Sequence, residues 1–184
     1  ALNKDLFPWL KTLYPIWAKL NPEALRLGTR LALAELLLSG CTTTSDHHYV
    51  FPPGLEKAID WQVEEAQSLG IRVVLCRGSM DRSQKDGGLP PDSVVQTSDE
   101  ILEDSERLIN RYHNSNEGAM TQIALAPCSP FSVSEEVMHE SSKLSKKHSV
   151  LLHTHLAETE DENSFCLEKM GCRPLEYLEQ VGWL

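Results

Sequence analysis

Two histidines separated by one residue, His153 and His155, are followed three residues on by a carboxylate, Glu158. Imidazole nitrogens suit Zn²⁺, and a carboxylate beside a metal can carry protons to and from an activated water without itself being a ligand. Residues two apart on a strand share a face, so both rings would point the same way. The competing reading is a solvated strand end, because H-x-H and H-x-x-E arise often by chance. Other residues also invite chemistry. His47 and His48 follow Asp46, and as strand neighbours they point to opposite faces, so at most one of them faces a pocket. Cys128 and Ser129 lie between Pro127 and Pro130 in a rigid turn; a thiol nucleophile has no local base there, and a pocket-lining or merely buried cysteine fits better. Arg77 could grip a carbonyl or carboxylate by bidentate contacts, or pair with one of the many acidic residues.

Alternating elements would gather these positions. Pro22-Glu23 opens a leucine-rich helical pattern running to Leu38 and ended by Gly40. Strands are expected to begin near residues 42, 72, 121 and 150, the last covering Val150 to Thr154. Helices are expected from Leu55 to Leu69, from Ser98 or Asp99 to about His113, from Ser132 or Ser134 to Lys147, near Asp161 to Met170, and from Pro174 to Val181. Strict strand–helix alternation implies a parallel α/β sheet, either doubly wound or a (β/α)8 TIM barrel. Neither G-x-G-x-x-G nor G-x-x-x-x-G-K follows any strand, which favours the barrel. In both architectures function sits at the C-terminal ends of the strands, and there the chain carries His47, Arg77, Cys128 and the His153–Glu158 stretch.

Composition narrows the partners. With 184 residues, 41% hydrophobic and 24% charged, length alone suggests one globular domain, 1–184. Its 17 Lys and Arg stand against 27 Asp and Glu, and a net charge of -10 repels nucleic acid and anionic membranes. The longest apolar stretch, Leu31 to Leu38, is broken by Glu35 and is too short to cross a bilayer, so a cytoplasmic protein is expected. Five cysteines, an odd number without any C-x-x-C, point to reduced thiols and away from a zinc ribbon. No G-x-S-x-G elbow is present, and Phe131 stands where the P-C-x-x-C signature of the zinc nucleoside deaminases needs a second cysteine. The start at Ala1 and the abrupt end at Leu184 suggest a piece of a longer chain.

Three ordered blocks carry a resemblance that covers essentially the whole chain. Leu33-Ala34-Glu35-Leu36-Leu37-Leu38-Ser39-Gly40-Cys41-Thr42-Thr43-Thr44-Ser45-Asp46-His47 is the first, Leu125-Ala126-Pro127-Cys128-Ser129-Pro130-Phe131-Ser132-Val133-Ser134 the second, and His153-Thr154-His155-Leu156-Ala157-Glu158-Thr159 the third. Together they resemble the amidohydrolase superfamily in its chlorohydrolase and deaminase branch. That resemblance implies a (β/α)8 barrel, of which this chain would supply strands 2–5 with their helices, and one Zn²⁺ or Fe²⁺ per active site that activates water. It implies that His155 is a metal ligand, that Glu158 shuttles protons from the water to a ring nitrogen and the leaving ammonia, and that His153 supports the ligand from behind. Cys128 and Ser129 would hold the substrate ring, with Arg77 and His47 completing the substrate contacts. Branch members acting on S-adenosylhomocysteine or methylthioadenosine typically read A-P-H-x-P-Y at the turn where this chain has Ala126-Pro127-Cys128-Ser129-Pro130-Phe131. The expected substrate is therefore an oxo-purine-like ring such as 8-oxoguanine, with a triazine as the alternative, and the full-length protein is expected to be a homo-oligomer. The branch's first-strand H-x-H would precede residue 1, and its sixth-strand histidine and eighth-strand aspartate would follow Leu184. Half a barrel would leave its sheet edges unpaired and its inner face open, and the non-enzyme alternative is an inert fragment in isolation.

Overall fold

The computed structural model describes residues 3–184. The chain opens with a helix that its own prolines disguise. In α1 (Leu6–Trp17), Pro8 falls in the first turn, where a missing N–H costs nothing, but Pro15 removes an interior hydrogen bond. The helix persists because Leu10 and Tyr14, one turn apart, are buried against the loops that follow the strands. The sequence reading begins its helices at Pro22 and so misses this element. α2 (Pro22–Leu38) starts where expected: the Asn21 side chain accepts the Ala24 N–H at 2.9 Å and Pro22 occupies the first helical position.

Three strands then alternate with helices: β1 (Thr43–His48), α3 (Ala58–Leu69), β2 (Arg72–Ser79), α4 (Ser98–Tyr112), β3 (Thr121–Pro127) and α5 (Glu135–His148), before α6 (Glu160–Lys169) and α7 (Pro174–Gln180). The strands form one parallel sheet in the order β1-β2-β3, with His47 opposite Cys76 and Cys76 opposite Ala124. Residues in register share a face, so the two faces can be read directly. The face carrying Val73, Leu75, Ile123 and Leu125 packs on α3 and α4 through Ala58, Ile59, Val63, Ala66, Leu108 and Ile109, forming the main core. The opposite face carries small side chains, Cys76, Ala124 and Ala126, together with His47.

The fourth expected strand is corrected. Residues 150–155 run parallel beside β3, but they pair with it as a single bridge between Leu125 and Leu152. The Leu125 N–H donates to Leu151 and the His153 N–H to Leu125, at 3.0 and 2.9 Å. The next rung of a parallel ladder would need an N–H from residue 127, which is proline and has none. The His155 N–H donates instead to the Cys128 carbonyl at 3.0 Å, and the ladder becomes a turn.

Where β1 and β2 end, the backbones approach closely: a Cβ on Gly78 would lie 2.2 Å from the His48 carbonyl oxygen, so only glycine fits there. Among the described residues no helix is long and apolar enough to cross a membrane, and all five cysteines are free thiols.

Candidate active site

The inner face of the sheet and the extended stretch beside β3 bring three imidazoles together. The His47 ring stacks on His155, with centroids 4.6 Å apart and planes at 15°, and meets His153 edge-on at 4.8 Å. Of the Asp46-His47-His48 run, His47 is the member that faces this cluster. His48 points to the helix layer, where it meets Phe51. Burial and the neighbouring His155 push the His47 imidazole down to about 3, so the ring is neutral near pH 7. Its Nε2–H donates to the Ala126 carbonyl at 3.0 Å, while its Nδ1 is buried without a partner.

The His155 ring is oriented by the turn it faces. Its Nδ1 lies 2.8 Å from the Cys128 carbonyl oxygen, which can only accept, so Nδ1 carries the proton and Nε2 keeps its lone pair. That is the arrangement of a metal-ligating imidazole, whose second nitrogen is tied to a carbonyl or carboxylate. The donor chemistry therefore fits a divalent ion at His155. Among the described residues no group of three His, Cys, Asp or Glu side chains converges as a metal cage, and the clustered imidazoles pack ring on ring.

Beside His155 lies a cavity of ≈ 150 Å³, lined by His155, Glu158, Cys128, Ser129, Phe131 and Tyr49, and closed by Leu6, Trp9, Leu10 and Tyr14 of α1. Pockets for drug-sized ligands run to roughly 300–1,000 Å³, so this space suits a small flat ring. Glu158 and His155 thus line the same cavity. The Cys128 thiol, pushed up to about 12 chiefly by burial, stays neutral, which agrees with a lining cysteine and not a nucleophile. The Ser129 hydroxyl is spent on Ser132 at 2.6 Å. A larger groove of ≈ 320 Å³ runs between α2 and the unpaired side of β1. Its walls are mainly α2 side chains such as Leu25, Ala32, Leu33 and Leu36, as expected where a helix stands beside an open strand edge.

Arg77 is corrected. In register with His48 and Leu125, it lies on the helix side of the sheet, 1% exposed and away from the cavity. Its Nε donates to Asp104 at 2.9 Å, its Nη2 to Gln96 at 2.8 Å, and its guanidinium covers the Phe51 ring at 4.2 Å. Its bonds tie β2 to α4, so the pairing alternative replaces the substrate contact.

Sequence reasoning missed the aromatic wall. Tyr49 follows Ser45 and His47 on the same alternating face, a signal present in the strand pattern. Trp9 and Tyr14 come from the overlooked α1, which reaches the histidines through a relay of edge-on rings: Tyr14 to Trp17, Trp17 to Tyr49, Tyr49 to His47, at 5.7, 6.3 and 5.3 Å.

Glu158 is presented by an unusual turn. Ala157 adopts φ 53°, a left-handed conformation costing a non-glycine residue roughly 1–2 kcal/mol. The Glu158 N–H then donates to the Glu162 carboxylate at 2.7 Å.

The amidohydrolase family profile matches residues 2–184. The chain is 61% identical over its whole length to the 8-oxoguanine deaminase of Pseudomonas aeruginosa, covering 41% of that protein. It is 33% identical over 98% of its length to the hydroxydechloroatrazine ethylaminohydrolase of Pseudomonas sp. strain ADP, covering 37% of that one. Among solved structures, the atrazine chlorohydrolase of Arthrobacter aurescens TC1 complexed with zinc superposes with a TM-score of 0.87 at 32% identity, over 96% of this chain and 39% of that one. The chain thus spans about two fifths of the length of these relatives. The family match along the chain, and the superposition that puts its parallel sheet and crossover helices onto a solved relative, lead to one conclusion: this chain belongs to the amidohydrolase family.

Proposed function

We propose that the protein containing this chain is a metal-dependent aminohydrolase that removes ammonia from an oxo-purine ring, 8-oxoguanine foremost. The observation that carries this reading is that His155 and Glu158 line one small aromatic cavity, with the His155 ring fixed by the Cys128 carbonyl. In this reading the chain is a partial catalytic domain, residues 1–184, supplying strands 2–5 and their helices to a (β/α)8 barrel. Its three parallel strands, and the extended stretch lying beside β3, support that placement.

His155 would hold a divalent ion, zinc or iron, through Nε2, and that ion supplies the activation of water. The remaining ligands would come from parts of the protein outside these residues. The reaction adds water across a ring carbon, breaks its bond to the exocyclic nitrogen and leaves a carbonyl and ammonia. Glu158 would accept one proton from the attacking water and pass it to the ring nitrogen, then take the remaining proton from the new hydroxyl and pass it to the departing amine, so that both water protons are placed. Tyr49, Phe131 and Trp9 exclude water and offer flat apolar surface to the ring, while the neutral Cys128 thiol lines its edge. His47, expected as a substrate contact, does not line this cavity; its ring stacks on His155 instead, with His153 edge-on beside the pair. The net charge of -10 fits a small ring better than a nucleic acid.

The test is ammonia release by the intact protein from 8-oxoguanine, with Glu158→Gln as control. Absence of ammonia from every purine supplied would overturn the reading. A triazine is the second candidate, favoured by the resemblance to hydroxydechloroatrazine ethylaminohydrolase, and a panel of amino- and chlorotriazines separates the two.

A further inference from the structure

α6 begins with a sequence signature used elsewhere in the chain for a different end. Thr159-Glu160-Asp161-Glu162 has the Thr-x-x-Glu spacing of a capping box, in which the glutamate takes the backbone N–H of the threonine and the threonine hydroxyl takes that of the glutamate. At the start of α4 the same spacing does this: Glu100 accepts the Thr97 N–H at 2.8 Å and the Thr97 hydroxyl accepts the Glu100 N–H at 3.3 Å, on an exposed surface. At the start of α6 the box is not closed. The Thr159 hydroxyl is buried and without a partner, and the Glu162 carboxylate reaches one residue further back, to the Glu158 N–H at 2.7 Å. Glu162 is also fully buried, with its other oxygen unpartnered, where burial pushes its carboxyl up. An exposed cap would have done the work of starting the helix without burying a carboxylate.

The residue held in this way is the one that lines the cavity with its side chain, and the turn before it runs through the left-handed Ala157. We propose that Glu162 is a positioning residue: its buried carboxylate clamps the backbone of Glu158, fixing the strained Ala157 turn so that the Glu158 side chain is aimed into the cavity. Glu162 touches no substrate in this scheme; it acts through the Glu158 N–H. The inference rests on Glu158 being the proton shuttle of the proposed reaction, but the clamp itself has a readout independent of that chemistry.

The experiment compares Glu162→Ala, Glu162→Gln and Glu162→Asp in the intact protein. Hydrogen exchange at the Glu158 amide, with the amides of β2 and β3 as internal references, reports the clamp. Steady-state ammonia release reports its consequence. Gln keeps an acceptor oxygen at the same reach and should retain both slow exchange at Glu158 and kcat within about threefold. Ala should expose the Glu158 amide to exchange while leaving the reference amides slow, and should lower kcat about 100-fold with little change in KM, as expected when a catalytic group is displaced by about 1 Å. If Glu162→Ala does not fold, Glu162→Asp carries the test, because its carboxylate is one methylene too short to reach the Glu158 N–H; fast exchange at that amide is expected. Slow exchange at Glu158 in the folded Ala or Asp variant, or kcat equal to wild type in both, would overturn the proposal. Absence of ammonia release by the wild-type protein would instead overturn the proposed function, and the exchange measurement would still decide the clamp.

Discussion

The ring of His155 and the turn at Cys128 hold one another: the histidine gives its Nδ1 proton to the Cys128 carbonyl at 2.8 Å and its backbone N–H to the same oxygen at 3.0 Å. One carbonyl therefore fixes both the tautomer and the position of the imidazole, and the turn that lines the cavity also aims the nitrogen available to a metal. Replacing His155 by Ala should drop zinc or iron well below one equivalent in the intact protein, measured by elemental analysis. A full equivalent retained would remove His155 from the ligand set.

Glu158→Gln keeps shape and removes the proton acceptor. General acid–base groups contribute roughly 10²–10⁴-fold, so kcat for ammonia release should fall by about that factor while the folded state is preserved. Measured by coupled ammonia assay, a loss of less than about tenfold would argue against the shuttle.

Arg77 and Asp104 form a pair between β2 and α4 in which the arginine side chain is fully covered. Asp104→Ala would leave a buried cation short of its counter-charge, a change that typically costs about 3–5 kcal/mol. Urea unfolding should report a loss of that order, with ring selectivity unchanged, because neither residue lines the cavity.

Asp60 ties α3 to α4 through Arg107, at 2.9 and 2.6 Å, and through Tyr112 at 2.8 Å. Burial works to raise its carboxyl, but the hydrogen bonds from Arg107 and Tyr112 outweigh it and hold the group below its usual value. A carboxylate depressed in the folded state contributes stability above its unfolded value, about 3.9, and loses it as pH falls through the folded one. The stability gap between wild type and Asp60→Asn should be flat above about pH 5 and narrow steadily below about pH 4. A gap that widens on acidification would contradict the pairing.

Gly78→Ala places a methyl 2.2 Å from the His48 carbonyl oxygen and 2.7 Å from the Tyr49 Cβ. Backbone must shift, at a typical cost of about 1–3 kcal/mol, and the shift falls on the residues that seat His47 and Tyr49. Lower thermal stability together with altered KM is the expected result.

Much of this arrangement was legible in the residues themselves. The three paired strands begin at Thr43, Arg72 and Thr121, close to the positions that β-branched runs and turn residues indicate, and His155, Glu158 and Cys128 line one cavity. α1 was not legible, because Pro8 and Pro15 read as breakers while the tertiary burial of Leu10 and Tyr14 overrides them. Arg77 misled for a related reason: its place at a strand end suggested a ligand contact, whereas the face it occupies depends on register with its neighbours, which the linear pattern leaves open. Glu162 was hidden within an ordinary capping signature, and only the reach of its carboxylate distinguishes it from Glu100.

The missing N–H of Pro127 has an effect beyond shortening a ladder. Because the rung at that position cannot form, the stretch after Leu152 is joined to the turn at residues 128–131 through the Cys128 carbonyl and not through the strand ladder. Substitutions in that turn can remodel the cavity's edge while the strand register stays where it is. The side chains that line the cavity and the backbone carbonyl that seats the His155 ring are thus separate parts of one turn, and the first can vary without disturbing the second.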